Sequence, residues 1–436
     1  MNFLSSLREE LQEEELNKNI IDEDLIEKML SELDEDQRKV VQASFNPILC
    51  NAIAGSGKTR VLTYRLSYLL ANGVKPSEII LLTFTNKAAR EMVDRVVKLT
   101  DINPKELMGG TFHHIAGRFL RKYSSHLGYK SNFTIYTPED SKDLLKWITS
   151  EEIKEYEGLK RNFPKSSAIY AMYSSCVNKN KNLNEILDQN GFSKQVNELI
   201  INIISRYLKH KKENNIMDFD DLLVNFEKIL KIDEIRNKIS SRYKYLFVDE
   251  YQDVNDLQAS IVKLLNNDNP NIFVVGDLNQ SIYEFRGSNI KNILKFRDEY
   301  KNCQVFPLRY NYRSQGAILD LASDSINRNK QKEKIEMLPF IKHTNKPQVR
   351  AYKTVFTEAD GIAKNILDKK RNNKDFKFSD NAILVRNNIQ TNALEFTFKR
   401  YNIPFRLLSG KSFIERKHIR DIISFLKFYA NPKDEV

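Results

Sequence analysis

Lys58 and Thr59 close a glycine-rich turn in the stretch Leu49 to Arg60, LCNAIAGSGKTR, and their spacing suits the binding of nucleotide phosphates. Backbone N–H groups of Gly55, Ser56 and Gly57 would wrap the phosphates, Lys58 would reach the β and γ oxygens, and the Thr59 hydroxyl would ligate magnesium. The strict pattern G-x-x-x-x-G-K-[ST] asks for glycine at position 52, where this chain has Ala52. Far downstream, Asp249 and Glu250 end the apolar run Tyr245-Leu246-Phe247-Val248. Asp249 would bind magnesium through water, and Glu250 would orient and deprotonate an attacking water. Two acids ending a strand also serve as plain caps, and the glycine-rich turn upstream favours the catalytic role.

These groups need a rigid frame, and the apolar patterning supplies one. The strand 47–54 leads into the turn, and the helix Arg60 to Ala71 stops at Asn72-Gly73. Ile79 to Phe84 reads as a buried strand that delivers Thr85-Asn86-Lys87 to a helix start, and a short strand ends at Gly110 to His114 before a helix over 115–123. Tyr245 to Val248 and Asn271 to Val275 repeat the unit. Strand, polar tip and helix in succession predict a parallel α/β sheet whose polar tips collect at the carboxyl ends of the strands. Between about 118 and 222 the strand runs give way to lysine- and asparagine-rich helical patterns such as Val196 to Lys209, which predict a helical insertion.

Charge is distributed unevenly. Residues 1–36 carry thirteen acids against Arg8, Lys18 and Lys28, a net of −10 that leaves +21 on the rest of a chain whose total is +11. A body this basic favours a polyanionic partner, although a lysine-rich solvated surface gives the same balance. The leucine and isoleucine spacing of the acidic segment (Leu4, Leu7, Leu11, Leu16, then Ile21, Leu25, Met29, Leu33) predicts one or two helices, either covering a basic surface, docking a partner or simply solvated. Gln37, shortly before the first strand, has an amide suited to an adenine edge. Cys50, Cys176 and Cys303 are far apart and read as reduced thiols. No stretch approaches the ~20 apolar residues of a membrane span, and the start is acidic rather than leader-like, so a cytoplasmic protein with no membrane partner is expected.

The motifs together resemble the superfamily 1 DNA helicases of the UvrD, Rep and PcrA type. The resemblance is carried, in order, by Gln37, AGSGKTR at 54–60, LLTFTNKAAREM at 81–92, TFHHIAGRFLR at 111–121 and DFDDLL at 218–223. It continues through FVDEYQDVN at 247–255, VVGDLNQSIYEFRGS at 274–288, LRYNYRS at 308–314 and SGKSFIERKHIRDIISFLKFYANPKDE at 409–435. It implies a RecA-like P-loop NTPase sheet: an acidic extension at 1–36, a first lobe at 37–117 and 223–305, a helical insertion at 118–222 and a second RecA-like lobe at 306–436. ATP and Mg²⁺ are the implied cofactors, with single-stranded DNA and duplex junctions as partners.

Residue by residue, the resemblance assigns ATP binding to Gln37, Ala54, Gly55, Ser56, Gly57, Lys58, Thr59, Arg60, Arg286, Tyr312 and Arg313. Gln280 would sense the γ-phosphate, Tyr312 would stack on adenine, Arg313 would act as an arginine finger, and Arg286 would touch either nucleotide or Glu250. Thr59 and Asp249 are the implied magnesium ligands. Phe84, Phe112, Tyr283 and Phe285 are candidate platforms for bases, with Asn86 and Thr111 on the DNA backbone. Each aromatic taken singly is more often a core residue, and placement at strand ends inside the motifs singles out Phe112 and Phe285 as platforms.

Some positions depart from the family pattern. Phe285 stands where members usually have tryptophan, and Asn279 where they have an acid. Strands are expected at Gln348 to Tyr352 and Ala382 to Val385, but the family's H-x-x-K-G-L-E-[FW] and R-R-L-x-Y-V-A-x-T-R-A segments are missing before Val436. That predicts an incomplete second lobe: either a fragment of a longer ATP-dependent 3′ to 5′ helicase with weak or no unwinding, or an ATP-dependent DNA-binding subunit of a repair or defence complex completed by a partner chain. A module without catalysis is disfavoured, because Lys58, Thr59, Asp249, Glu250 and Gln280 are all present.

Overall fold

The computed structural model describes residues 22–156, 158–159, 162–267, 271–329, 336–342, 345–387, 389–408 and 417–431. The expected helices before residue 22, and motif residues 409–416 and 432–435, lie outside the described residues. The chain divides into two compact units, one formed by 1–345 with 427–436 and the other by 346–426.

In chain order the first unit opens with helices α1 (Glu23–Ser31) and α2 (Glu35–Val41), then strand β1 (Ile48–Ala52), α3 (Lys58–Ala71), β2 (Ile79–Thr83), α4 (Asn86–Thr100), β3 (Met108–Thr111) and α5 (Phe112–Tyr123). A mostly helical stretch follows: β4 (Thr134–Ile135), α6 (Pro138–Glu152), α7 (Ser166–Asn178), α8 (Leu183–Gln189), α9 (Lys194–Glu213) and β5 (Ile216–Met217). The chain returns through α10 (Phe219–Leu230), α11 (Asp233–Arg242), β6 (Tyr245–Val248), α12 (Asp256–Asn266), β7 (Ile272–Gly276), α13 (Lys291–Glu299) and β8 (Gln304–Leu308). Then come β9 (Tyr310–Gln315), α14 (Gly316–Ile326) and β10 (Leu338–Ile341).

Six strands form one parallel sheet in the order β3-β2-β6-β7-β1-β8. Their near-continuous apolar runs follow from coverage on both faces. The period-2 alternation divides the side chains cleanly: Leu49, Ile80, Leu82, Leu246, Val248 and Val274 enter one core, while Ile48, Cys50, Leu81, Phe247, Phe273 and Val275 enter the other. Polar residues at the strand ends start the next helices. The Thr85 hydroxyl accepts from Ala88 N, and the Thr111 hydroxyl accepts from His114 N. β8 is the edge strand of this sheet beside β1, with Phe306 opposite Cys50.

The helical insertion has its own core, in which Tyr136, Leu144, Ile148, Ile200, Ile203 and Tyr207 are buried. It is closed at its base by the β4–β5 ladder. This separate core is narrower than the span 118–222, because α5 and α10 pack into the main core through residues such as Phe119 and Phe226. Lys211 is buried between Asp218 and Asp221, at 2.5 and 2.6 Å, and so anchors α9 to the first turn of α10. Residues 427–431 return to the insertion: Lys427 bonds Asp140, and Asn431 donates to Thr134 Oγ1 and to the carbonyl of Asn214.

The second unit holds α15 (Val355–Asn372) and α16 (Ile389–Arg400), packed around Ala363, Ile366, Phe398 and Ile403. The strands expected at 348–352 and 382–385 are corrected: both segments are without strand structure, and Val349 and Leu384 are exposed. A strand needs a neighbour for its backbone N–H and C=O groups, and these segments pair with none among the described residues.

Candidate functional site

At the carboxyl end of β1 the chain enters a turn that uses two left-handed glycines, Gly55 (φ +71°) and Gly57 (φ +86°). A Cβ on Gly57 would lie 2.9 Å from Gln37 Nε2, and one on Gly55 would lie 2.7 Å from Asn311 Nδ2. Both positions therefore require glycine for conformation and for space. Ala52 is the buried last residue of β1, paired with Leu308, so the strict pattern's first glycine falls here on regular strand and none is needed. Gly57 caps α3 without a side-chain bond, which leaves the first-turn N–H groups pointing where an anion would sit.

Three strand ends converge on Lys58. Its Nζ is 3.1 Å from Glu250 Oε2, at the end of β6, and 3.1 Å from Gln280 Oε1, after β7. Gln280 in turn donates to Asp277 Oδ2 at 2.8 Å. Gln252 Nε2 donates to Glu250 Oε2 at 2.9 Å, while its side-chain Oε1 accepts from Asp277 N at 2.9 Å. Glu250 adopts φ +49°, an unfavourable conformation for a non-glycine residue, held here by the bonds to its carboxylate.

Asp249 lies beside this network and is buried; its Oδ1 has no hydrogen-bond partner among the described residues. Burial and then the neighbouring Glu250 push its pKa up to about 7, with Lys58 opposing. Burial and Glu250 likewise raise Asp253 to about 6. Crowded carboxylates facing one lysine, with a buried oxygen unpartnered, fit a hard divalent cation. Thr59 lines the same cleft of about 480 Å³ with Asp249, Glu250 and Gln280, so the oxygen donors suit magnesium.

The other wall is the segment 309–313. Asn311 Nδ2 donates to the Ala54 carbonyl at 2.5 Å, and Tyr312 N donates to the Gly55 carbonyl at 2.9 Å. This places Arg313 against the turn, where its Cβ would meet a Cβ on Gly55 at 2.9 Å, while the arginine as a whole is exposed. The Tyr312 hydroxyl donates to Asp34, and its ring meets Phe340 with centroids 4.9 Å apart. Gln37 is buried; it donates to the Ser56 carbonyl at 3.0 Å and accepts from Asp34 N, so its amide bolts the turn in place. Ser56 is buried too, its hydroxyl on the Ile53 carbonyl. Arg60 pairs with Glu32 at 3.2 Å and lies over the Tyr64 ring. The side chain of Arg286 lies outside the described residues.

Next to this cleft, Phe84 and Tyr283 stack at 5.2 Å, and Phe285 continues the row 6.0 Å from Tyr283. Phe285 is 75% exposed, whereas Phe112 is only 4% exposed and belongs to the main core. Phe112, the first residue of α5, packs into the main core, and the Thr111 hydroxyl caps that helix; both residues also line the neighbouring cavity. Asn86 is exposed at the start of α4. A cavity of about 270 Å³ lies between Phe84, Tyr283, Asn178 and Asn255. Asn178 donates to Asp220 and accepts from Asn255, each at 2.8 Å, so the insertion is wired to the segment following Asp249-Glu250.

Sequence reasoning missed Gln252, Asn311 and the pairing of Arg309 with Asp36. Gln252 and Asn311 lie inside quoted motifs, which was the available signal. An ion pair across so long a stretch of chain has no local signature.

With this geometry in place, the comparisons are specific. The family model of the UvrD/REP helicase N-terminal domain matches residues 33–301, and that of the UvrD-like helicase C-terminal domain matches 306–436. The chain is 34% identical over 416 residues to the ATP-dependent DNA helicase PcrA of Staphylococcus aureus, covering 94% of this chain and 55% of that protein. The Staphylococcus epidermidis protein of the same name is 34% identical over 414 residues, with the same shares covered. The chain thus spans about half the length of the curated relatives it matches. The expectation that the family's C-terminal motifs are missing is not borne out, because residues 306–436 match the C-terminal domain, and the incomplete second lobe gains no support. The fragment and partner-completed readings gain no support.

Proposed function

The chain belongs to the UvrD/REP helicase family, and on that premise we propose that it hydrolyses ATP with magnesium and couples hydrolysis to 3′ to 5′ movement on single-stranded DNA and to opening of the duplex at a junction. One observation carries the reading: Lys58 of the glycine-rich turn sits 3.1 Å from both Glu250 and Gln280, so the phosphate-binding, water-activating and phosphate-sensing groups already share one cleft.

Phosphates bound at the turn would draw Lys58 away from Glu250. Glu250, still oriented by Gln252, is then free to align a water and take its proton. Thr59 and Asp249 would hold magnesium, which supplies charge neutralisation for the phosphates. Gln280 bonds Lys58 on one side and Asp277 on the other, so it registers any displacement of the lysine. Tyr283, three residues on, belongs to the aromatic row, which gives nucleotide state a short path to the DNA track. Arg313 would stabilise charge on the transferring group, an effect of about 10³ to 10⁵ in rate in related systems. Tyr312, with Gln37 and Arg60 nearby, would border adenine. Phe84, Tyr283 and Phe285 would stack bases, with Asn86 and Thr111 toward the sugar–phosphate backbone. Among the described residues no helix is long and apolar enough to cross a membrane, and a DNA-bound role fits the cytoplasm.

Steady-state ATP hydrolysis with and without single-stranded DNA tests the proposal. Stimulation by DNA that disappears in Lys58→Ala is expected; DNA-independent hydrolysis, or hydrolysis that survives Lys58→Ala, rejects it.

A further inference from the structure

We propose that Asp36 and Arg309 are positioning residues, an ion-paired clasp that fixes the bend between β8 and β9 and thereby holds Arg313 at the nucleotide turn. The proposal rests on the ATP-hydrolysis reading and adds a control point to it.

Arg309 is the single residue between β8, which pairs with β1 in the main sheet, and β9, which pairs with β10. At this junction the chain leaves one sheet for another, and the direction it takes decides where the next residues point. Arg309 Nε donates to Asp36 Oδ2 at 2.9 Å and its Nη2 to Oδ1 at 2.8 Å, a two-pronged pair that fixes orientation as well as distance. Asp36 is buried in the first turn of α2, the helix that also supplies Gln37 to the turn. One turn of helix therefore grips both sides of the nucleotide cleft. Gln37 braces Ser56, and Asp36 braces the bend that carries Asn311, Tyr312 and Arg313.

Downstream of the clasp the contacts leave little slack. Asn311 is buried, with its Nδ2 on the Ala54 carbonyl and its Oδ1 accepting from Arg313 N at 2.9 Å and Ser314 N at 2.7 Å. The side chain of Asp36 is 9% exposed and that of Arg309 43% exposed. Removal of the Asp36 charge thus leaves an arginine able to hydrate, and the fold should tolerate that change, whereas removal of Arg309 leaves the Asp36 carboxylate buried without its partner. The phosphate cradle, Gly55 to Lys58, has a brace of its own in Gln37, which donates to the Ser56 carbonyl and is not part of the pair. The clasp is therefore expected to affect the rate of hydrolysis and to leave nucleotide binding nearly alone.

The test uses the full chain and the variants Asp36→Asn, Arg309→Met and the exchange Asp36→Arg with Arg309→Asp. Expected for each single variant is a roughly tenfold or larger fall in kcat for DNA-stimulated hydrolysis, with KM for ATP and the affinity for a fluorescent ATP analogue within about twofold; Tm is unchanged in Asp36→Asn and lowered in Arg309→Met, which leaves the Asp36 carboxylate unpaired. The exchange variant recovers much of kcat. In an Arg313→Ala background Asp36→Asn has no further effect, because both changes then act through the same group. An unchanged kcat, a matching rise in KM, or additive losses with Arg313→Ala overturns the proposal. Hydrogen exchange of the amides of residues 311–314 without nucleotide gives a readout free of catalysis. It should accelerate in Asp36→Asn while β1 stays protected, and unaltered exchange overturns the clasp even if the chain hydrolyses no ATP. Absence of hydrolysis in the unmodified chain, with accelerated exchange in Asp36→Asn, instead rejects the enzymatic reading alone.

Discussion

Glu250 Oε2 lies 3.1 Å from Lys58 Nζ, so the residue proposed to activate water and the residue proposed to hold phosphate neutralise each other across the cleft. Each must release the other before either can act. Substitution Glu250→Gln removes the ion pair while keeping the shape, and should preserve or tighten ATP binding while lowering kcat by about 10² to 10⁴. Nucleotide titration beside single-turnover hydrolysis checks this; wild-type turnover in the variant would remove Glu250 from the chemistry.

Asp249 gives a pH signature. Its pKa, raised to about 7 by burial and by Glu250, exceeds that of an unfolded aspartate. The folded protein therefore holds that proton more tightly than the unfolded chain, and the stabilising effect is lost as pH rises through about 7. Without metal, Asp249→Asn should raise Tm at pH 8 and change it little at pH 5, while abolishing hydrolysis. Magnesium must displace the proton, so its affinity for the unmodified chain should increase from pH 6 to pH 8. An affinity flat across that range would contradict the assignment.

The two phenylalanines expected to stack bases should separate experimentally. Phe285→Ala is expected to weaken single-strand binding by about 1 to 3 kcal/mol with Tm unchanged. Phe112→Ala, by contrast, should cost about 3 to 5 kcal/mol of stability through an unfilled core. Fluorescence anisotropy with labelled single-stranded DNA and thermal melting resolve them, and a stability loss in Phe285→Ala would return that ring to the core.

Lys211 is the structural cation of the helical insertion, 1% exposed and bonded to two aspartates. Lys211→Met should destabilise the fold by about 3 to 5 kcal/mol at neutral pH, because Asp218 and Asp221 are left buried without a counter-charge. The loss should shrink on acidification as Asp221, whose pKa burial already raises, takes up a proton. A variant equally destabilised at pH 4.5 and pH 7.5 would show that packing, rather than charge, is what Lys211 supplies.

DNA binding by a chain whose residues after 36 carry +21 should fall steeply with salt, through release of counterions from the phosphates. Binding measured from 50 to 200 mM salt checks this, and a flat response would count against the basic surface as the docking face.

The sequence alone determined the strand–turn–helix units, the parallel sheet and the positions of Lys58, Asp249, Glu250 and Gln280, because apolar periodicity, glycine at left-handed turns and polar strand ends are local properties. The identity of the cleft's second wall was legible only as a motif. Tertiary structure alone decided that Phe112 faces the core and Phe285 faces solvent, since both precede or follow polar tips in similar contexts. It also decided that β8 belongs to the main sheet, and that residues 348–352 and 382–385 form no strand, because strand formation depends on a neighbour distant in the chain. The pairing of Asp36 with Arg309 belongs to the same class: two unremarkable surface-type residues become one geometric constraint only when the fold brings them within hydrogen-bond reach.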